Sequence, residues 1–350
     1  MNILMVGVGP KRIGGMWSVS EQYINSEYFN KKVKLYYVKT STLGSIFRRI
    51  LCMIFGYLKI FYILLFKKID IVHLHMAEKG SVYRKGFIAK LSKKMNKKVI
   101  IHMHAGPFMA YYKTISERSK KNVLKILNCY SDKVIVLGNY WMNQMSEIVS
   151  KDKLVVLYNG VDIPEKNQYS ENNKNIVYFG VMNKNKGIYD LIETIEKIND
   201  KLDNSIKIRL CGKDLTGDVE RLIDEKKLNN RIYYLGWIDG EKKEQELKNA
   251  MISVLPSYYE GLSMTIIEAM SYGIPVITTN ISTMNEILNN EKFLFNPGDT
   301  EKFGELILYL ASKKEERNKI SHSEYERVKK IFSNKIFIEK TLEIYDNLMQ

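Results

Sequence analysis

Cysteine, acid and uninterrupted apolar sequence are all scarce in this chain of 350 residues, and each shortage excludes something. The three cysteines, Cys52, Cys129 and Cys211, stand far apart in apolar runs. An odd, scattered set cannot form a disulfide framework, and it fits a reducing, cytoplasmic compartment. The N-terminus MNILMVGVGPKRIGG has no basic region ahead of its apolar run, which Gly, Pro and Lys soon interrupt. It therefore reads as a first buried strand and not as a signal peptide. The most apolar stretch, Ser45–Lys68, is split by Lys59 into the charge-free runs Ile50–Leu58 and Ile60–Phe66. Neither run approaches the roughly 20 residues a bilayer-spanning helix needs. We expect a buried helix of the first domain here. Arg48, Arg49, Lys67 and Lys68 keep a position on an anionic membrane surface as the alternative.

Other absences are chemical. A dinucleotide fingerprint opening at Gly7 and Gly9 fails, because Arg12 stands where a third glycine is required and no acid follows the second strand. There is no Asp-x-Asp to cradle a catalytic divalent metal, so no metal and no cofactor are expected. No compact basic helix or aromatic-basic motif occurs, so nucleic acid is not an expected partner.

What is present suffices for two ordinary cores. The hydrophobic share is 45% and the charged share 27%, and the length exceeds what one core accommodates. The net charge of +15 comes from lysines spread along the whole chain. A solvated lysine-rich surface explains it, as does an anionic partner such as a membrane surface or a phosphorylated substrate.

Short runs of Val, Ile and Leu alternate with segments of helical period. Strands are predicted at 2–8, 34–38, 70–75, 98–104, 133–138 and 154–159, then at 175–180, 206–212, 232–237, 252–257 and 274–279. Continuous apolar runs suit strands covered on both faces, and strand–helix alternation argues for parallel sheets of βαβ units. The polar segment Pro164–Lys174 separates the two series and is the expected linker. Domains are accordingly placed at 1–163 and 164–330, both doubly wound, with a ligand expected between them at the carboxyl ends of the strands. A last helix over 331–350 fits either domain.

The densest chemistry lies in Glu260–Thr279, EGLSMTIIEAMSYGIPVITT. Ser263 is a predicted N-cap, the helix runs to about Tyr272, and Gly273 ends it. Gly261 permits close backbone approach to a ligand, and the free N–H groups at a helix start favour an anion such as a diphosphate. Glu260 in the loop and Glu268 on the helix could each accept hydroxyl hydrogen bonds. Two incidental glutamates on a structural turn are the plain alternative.

This segment resembles the signature of glycosyltransferase family 4, in which Glu-x7-Glu opens a run ending in Gly-x-Pro-Val-Ile. Tyr158–Asp162 (YNGVD), Lys186-Gly187, the pair Gly14-Gly15 and the strand end IHMHAG resemble further family motifs in the family's order. The resemblance implies the GT-B fold, with two Rossmann-like domains facing across a cleft and the nucleotide sugar held mainly by the second. It implies a retaining hexosyltransferase. Lys186 would stabilise the leaving diphosphate with the backbone of Gly261, Leu262, Ser263 and Met264, assisted by Lys184. Glu260 would hold donor-sugar hydroxyls and Glu268 the ribose, with the base read near Gly236, Trp237 and Ile238. From the first domain, His104 would sit over the reacting sugar and Gly15 would also meet the donor, with Gly14, Gly15, His102 and His104 on the acceptor side. The expected partners are a nucleotide sugar, most simply a UDP-sugar, and a glycan or lipid-linked acceptor of bacterial surface polysaccharide synthesis. The expected setting is the cytoplasm, on the inner face of the membrane if the apolar helix docks there.

Two departures stand out. Val181 occupies the position where the family usually has an arginine, and Ser282–Glu286 replaces its Gly-Gly before Pro-Glu. Val181 supports one alternative, a catalytically silent protein that binds nucleotide sugar or a partner on the same scaffold. His73, His75, His102 and His104 form two His-x-His pairs at strand ends, where a zinc site is geometrically conceivable.

Overall fold

The computed structural model describes all residues except 11–14, 105, 107 and 289. The chain divides into two compact units, Met1–Gly160 with Asn334–Gln350, and Val161–Ser333. The division therefore falls three residues earlier than the sequence reading placed it, and the last crossing three residues later.

Unit 1 contains β1 (Asn2–Gly7), β2 (Lys34–Lys39), β3 (Ile71–Met76), β4 (Lys98–Met103), β5 (Lys133–Val136) and β6 (Leu154–Val156). They form one parallel sheet in the order β2-β1-β3-β4-β5-β6. Unit 2 contains β7 (Asn175–Phe179), β8 (Lys207–Cys211), β9 (Ile232–Gly236), β10 (Ala250–Leu255), β11 (Val276–Thr279) and β12 (Leu294–Phe295). They too are parallel, in the order β12-β11-β10-β7-β8-β9. All eleven predicted strands form; central ones such as β3 and β10 are buried along their whole length, whereas the edge strands β2 and β9 are only partly covered. β12 has two residues, too few for any run to register.

The strand order reverses between β1 and β3 in unit 1 and between β7 and β10 in unit 2. At such a point the loops leaving the carboxyl ends diverge to opposite faces and open a crevice.

The terminal helix Asn334–Met349 joins unit 1. Phe337, Ile338, Leu342, Tyr345 and Leu348 enter the core that holds Ile3, Tyr23, Phe29 and Ile71. The segment Pro164–Lys174, expected as the linker, lies in unit 2 and is held there by polar contacts. Arg317 donates to Tyr169 Oη at 3.0 Å, and Tyr325 Oη donates to the Pro164 carbonyl at 2.8 Å. A segment without apolar period can still be held by polar contacts, which periodicity does not reveal.

The expectation of a buried helix at Ser45–Lys68 is corrected. The helix forms over Ile46–Phe66, but its buried residues are Gly56, Ile60, Ile63 and Leu64. Phe47 is 70% exposed, Phe55 65% and Leu58 60%. The helix packs beside β2, the edge strand, so only one narrow face finds a partner.

Candidate active site

In unit 2 the site grows from the two loops at the strand-order reversal. After β7 the chain passes Gly180 and turns through a single 3-10 turn, Lys184–Lys186. The Asn183 side chain accepts from Lys186 N at 3.0 Å and holds that turn. Gly187 follows at φ +67°, and a Cβ there would lie 2.0 Å from the Pro256 carbonyl oxygen. This glycine lets the β7 loop touch the loop after β10. Tyr258 N donates to Asn185 O at 2.9 Å across the same contact. Lys186 thus precedes the helix Ile188–Ile198 by two residues.

The contact brings Lys186 Nζ to 2.5 Å from Glu260 Oε1. Ser257 Oγ donates to the same oxygen at 2.8 Å. Glu260 is buried while Lys186 keeps partial access to solvent. Thr283 Oγ1 donates to Gly261 O at 3.0 Å and Thr279 Oγ1 to Ser257 O at 2.5 Å, which fixes the loop from the β11 side. The next helix, Met264–Ser271, starts directly after this loop. Ser263 is its N-cap residue by position, but its side chain makes no cap bond and lies 3.3 Å from Thr265 Oγ1. The N–H groups of the first turn have no intrahelical acceptors, as at any helix start.

Glu268, one turn into that helix, pairs with Lys243 at 2.6 Å. Lys243 comes from the helix Gly240–Lys248 and also lies 6.0 Å from the Phe179 ring centroid. Each site carboxylate therefore carries a lysine. Lys184 is exposed beside Lys186. Val181 supplies no charge; its carbonyl accepts from Tyr178 Oη at 2.9 Å. Gly236 ends β9 at φ +68°, with Trp237 exposed and Ile238 half-buried after it.

Sequence reasoning thus brought Lys186, Glu260, Gly261, Ser263, Met264 and Glu268 to one region. It missed Ser257, Thr283 and Lys243. Lys243 has no local signal, because it belongs to a charged helix whose lysines look alike until the fold selects one.

In unit 1 the histidines gather at the ends of β3 and β4. His73 Nδ1 lies 2.6 Å from Tyr345 Oη, His73 Nε2 lies 3.3 Å from His102 Nδ1, and His75 Nδ1 lies 2.7 Å from His104 Nε2. His73, His75 and His102 are buried and His104 is half-buried. Burial holds all four below the ordinary histidine range, His73 and His104 down to about 3, and mutual repulsion adds to it in the first three. They are neutral imidazoles. Among the described residues His73, His75 and His102 form the one group with metal-ligand atoms within 4.8 Å of one another. Two ring nitrogens of His73 and one each of His75, His102 and His104 are engaged by Tyr345 or another ring. Gly15 opens the helix Gly15–Asn25 and is exposed; Gly14 lies outside the described residues.

Residues 161–327 match the glycosyl transferases group 1 family, and residues 24–165 match Glycosyltransferase Family 4. The chain belongs to the family 4 glycosyltransferases of GT-B fold. Among its relatives is an uncharacterised 41.2 kDa protein in the cps region of Klebsiella pneumoniae, 26% identical over 265 residues and 72% of each chain. Another is the Escherichia coli O-antigen biosynthesis glycosyltransferase WclY, 23% identical over 81% of each. The fold of this glycosyltransferase is similar to that of Anabaena HepE in complex with UDP. The TM-score is 0.77 at 15% identity, over 99% of this chain and 100% of that one.

Proposed function

We propose that this glycosyltransferase moves a hexose from a UDP-sugar, with retention at the anomeric carbon, to a glycan or lipid-linked acceptor of bacterial surface polysaccharide. The observation that carries the reading is the Lys186–Glu260 pair at the strand-order reversal of unit 2, beside the start of the helix Met264–Ser271. The ammonium has donors beyond the one given to Glu260, so it can serve a phosphate while Glu260 stays in place. In the reaction the bond from the anomeric carbon to the diphosphate breaks, the acceptor oxygen bonds to that carbon, and the acceptor proton passes to the departing phosphate oxygen. Negative charge grows on the diphosphate as it leaves. Lys186 and the backbone donors at Gly261, Leu262, Ser263 and Met264 meet that charge as it forms.

Glu260 orients sugar hydroxyls, Glu268 takes the ribose hydroxyls, and Lys243 holds the Glu268 carboxylate in place. Gly236, Trp237 and Ile238 lie beside the base. His104, neutral and anchored by His75, donates to or accepts from a hydroxyl of the reacting sugar. The reaction needs no metal, and it takes place in the cytoplasm. Support for the donor and the setting comes from HepE, solved with UDP, and from relatives named for O-antigen biosynthesis or a cps region.

The test is a transfer screen over UDP-, GDP- and ADP-sugars with and without chelator, with product anomers read by NMR. We expect transfer from one UDP-sugar that the chelator leaves unchanged. Lys186→Ala should lower turnover by about 10²–10³-fold, while Glu268→Ala should chiefly weaken donor binding. Donor binding without transfer or hydrolysis would favour the silent reading. Loss of activity on chelation, restored by zinc, would assign the histidine cluster a metal. Unchanged donor affinity in Glu268→Ala would remove the ribose from Glu268.

A further inference from the structure

Between Tyr28 and Ile69 the chain carries nine Lys and Arg residues and no acid. The helix Ile46–Phe66 lies in that interval, and its residues Phe47, Ile54, Leu58, Phe61 and Leu65 are spaced to form one stripe. All five are exposed, between 45% and 70%. Phe55 and Phe66 widen the stripe at 65% and 68% exposure. Arg48 and Lys59 project at its margin by the same helical spacing, where long basic side chains can reach outward past an apolar face. The neighbouring helix Gly80–Lys94 extends the apolar surface with Phe87, 61% exposed, whose ring stands 5.8 Å from that of Tyr57.

We infer that this face docks on an anionic lipid surface, with the helix lying in the interface plane. The opposite face is committed to protein. Gly56 runs so close to β2 that a Cβ would lie 2.7 Å from the Lys39 carbonyl, and Tyr57 Oη donates to the Arg84 carbonyl at 3.2 Å. Ile60, Ile63 and Leu64 are buried on that side. A helix held this way cannot be surrounded by lipid, so its length and composition, which would suffice for a span, serve a surface position instead. A second copy of the chain is the competing occupant. A two-fold pairing of this face would set Arg48, Arg49, Lys59, Lys67 and Lys68 against their own copies with no acid to offset them. Anionic headgroups supply the opposite sign, and acyl chains accept the apolar stripe.

The inference deepens the proposed reading by locating where a lipid-linked acceptor is met, and its test reads binding, not turnover. Wild-type protein is co-sedimented with vesicles of phosphatidylcholine, with and without about one-third phosphatidylglycerol, at low and high salt. We expect strong retention on the anionic vesicles and little on the neutral ones, weakened by salt. The double variant Phe55→Glu/Leu58→Glu should lose at least about tenfold in retention. Arg48→Glu/Lys59→Glu should lose retention on anionic vesicles only. UDP binding should be unchanged in both variants, since all four substituted residues belong to unit 1. Absence of retention by wild type on any vesicle overturns the inference. So does a wild-type dimer in sedimentation velocity that Phe55→Glu/Leu58→Glu converts to monomer without any vesicle binding lost. Vesicle binding with no glycosyl transfer would leave the docking intact and remove the enzymatic reading alone.

Discussion

At the scale of single residues, the histidines of unit 1 show how burial sets protonation. Each of the four imidazoles is held neutral, and the Nε2 atoms of His75 and His102 are buried without a hydrogen-bond partner among the described residues. In the unfolded chain the same groups titrate near 6.5, whereas His73 and His104 in the fold titrate near 3. As pH falls below about 6.5 the unfolded chain therefore takes up protons that the folded chain refuses. Stability present above that pH is lost progressively on the way down, at about 1.4 kcal/mol per pH unit for each such group. We expect the urea midpoint of unit 1 to drop steeply from about pH 6.5 to about pH 5, with hydrogen exchange rising first in β3 and β4. A flat midpoint over that range would mean the rings are solvated in solution. The sequence made these four residues conspicuous as two His-x-His pairs, but that they spend their nitrogens on one another and on Tyr345 depends on β3 and β4 being adjacent in register.

At the scale of elements, the site depends on how two loops touch. Gly187 is where the β7 loop meets the β10 loop, both by its left-handed φ and by the space it leaves at Pro256. Gly187→Ala should cost on the order of 1–3 kcal/mol in stability and should move Lys186 away from Glu260, lowering donor affinity and turnover together. Gly217→Ala is the control: its φ is +75° but nothing lies within 4 Å of the added Cβ. It should cost only the backbone penalty of about 1 kcal/mol and leave donor affinity intact. Equal effects of the two substitutions on donor affinity would show that the loop contact does not position the lysine. The Lys-Gly pair is visible in the sequence as a motif. The carbonyl it must clear, 69 residues further along, is not. The same holds for the helix Ile46–Phe66: its composition suggested burial, and only its place beside an edge strand leaves most of it in solvent.

At the scale of the whole molecule, the chain closes on itself. The helix Asn334–Met349 returns to unit 1, where Tyr23 Oη and Thr341 Oγ1 lie 3.0 Å apart in the core and Tyr345 reaches His73. Removing residues 334–350 should expose Tyr23, Phe29 and Phe337's former neighbours, so that unit 1 loses its cooperative transition while unit 2 keeps its own. Calorimetry or protease mapping would show this, and an unshifted unit 1 transition in the truncated chain would disprove the core role of the helix. The sequence by itself determined eleven of the twelve strands, the two-unit plan and the motif Glu260–Thr279. Continuous apolar runs admit few other structures, and motif residues are close in the chain. Tertiary structure alone decided which lysine faces which glutamate, which unit keeps the last helix and which apolar surface stays uncovered. Those outcomes depend on contacts between residues far apart in sequence, and no local pattern encodes such contacts.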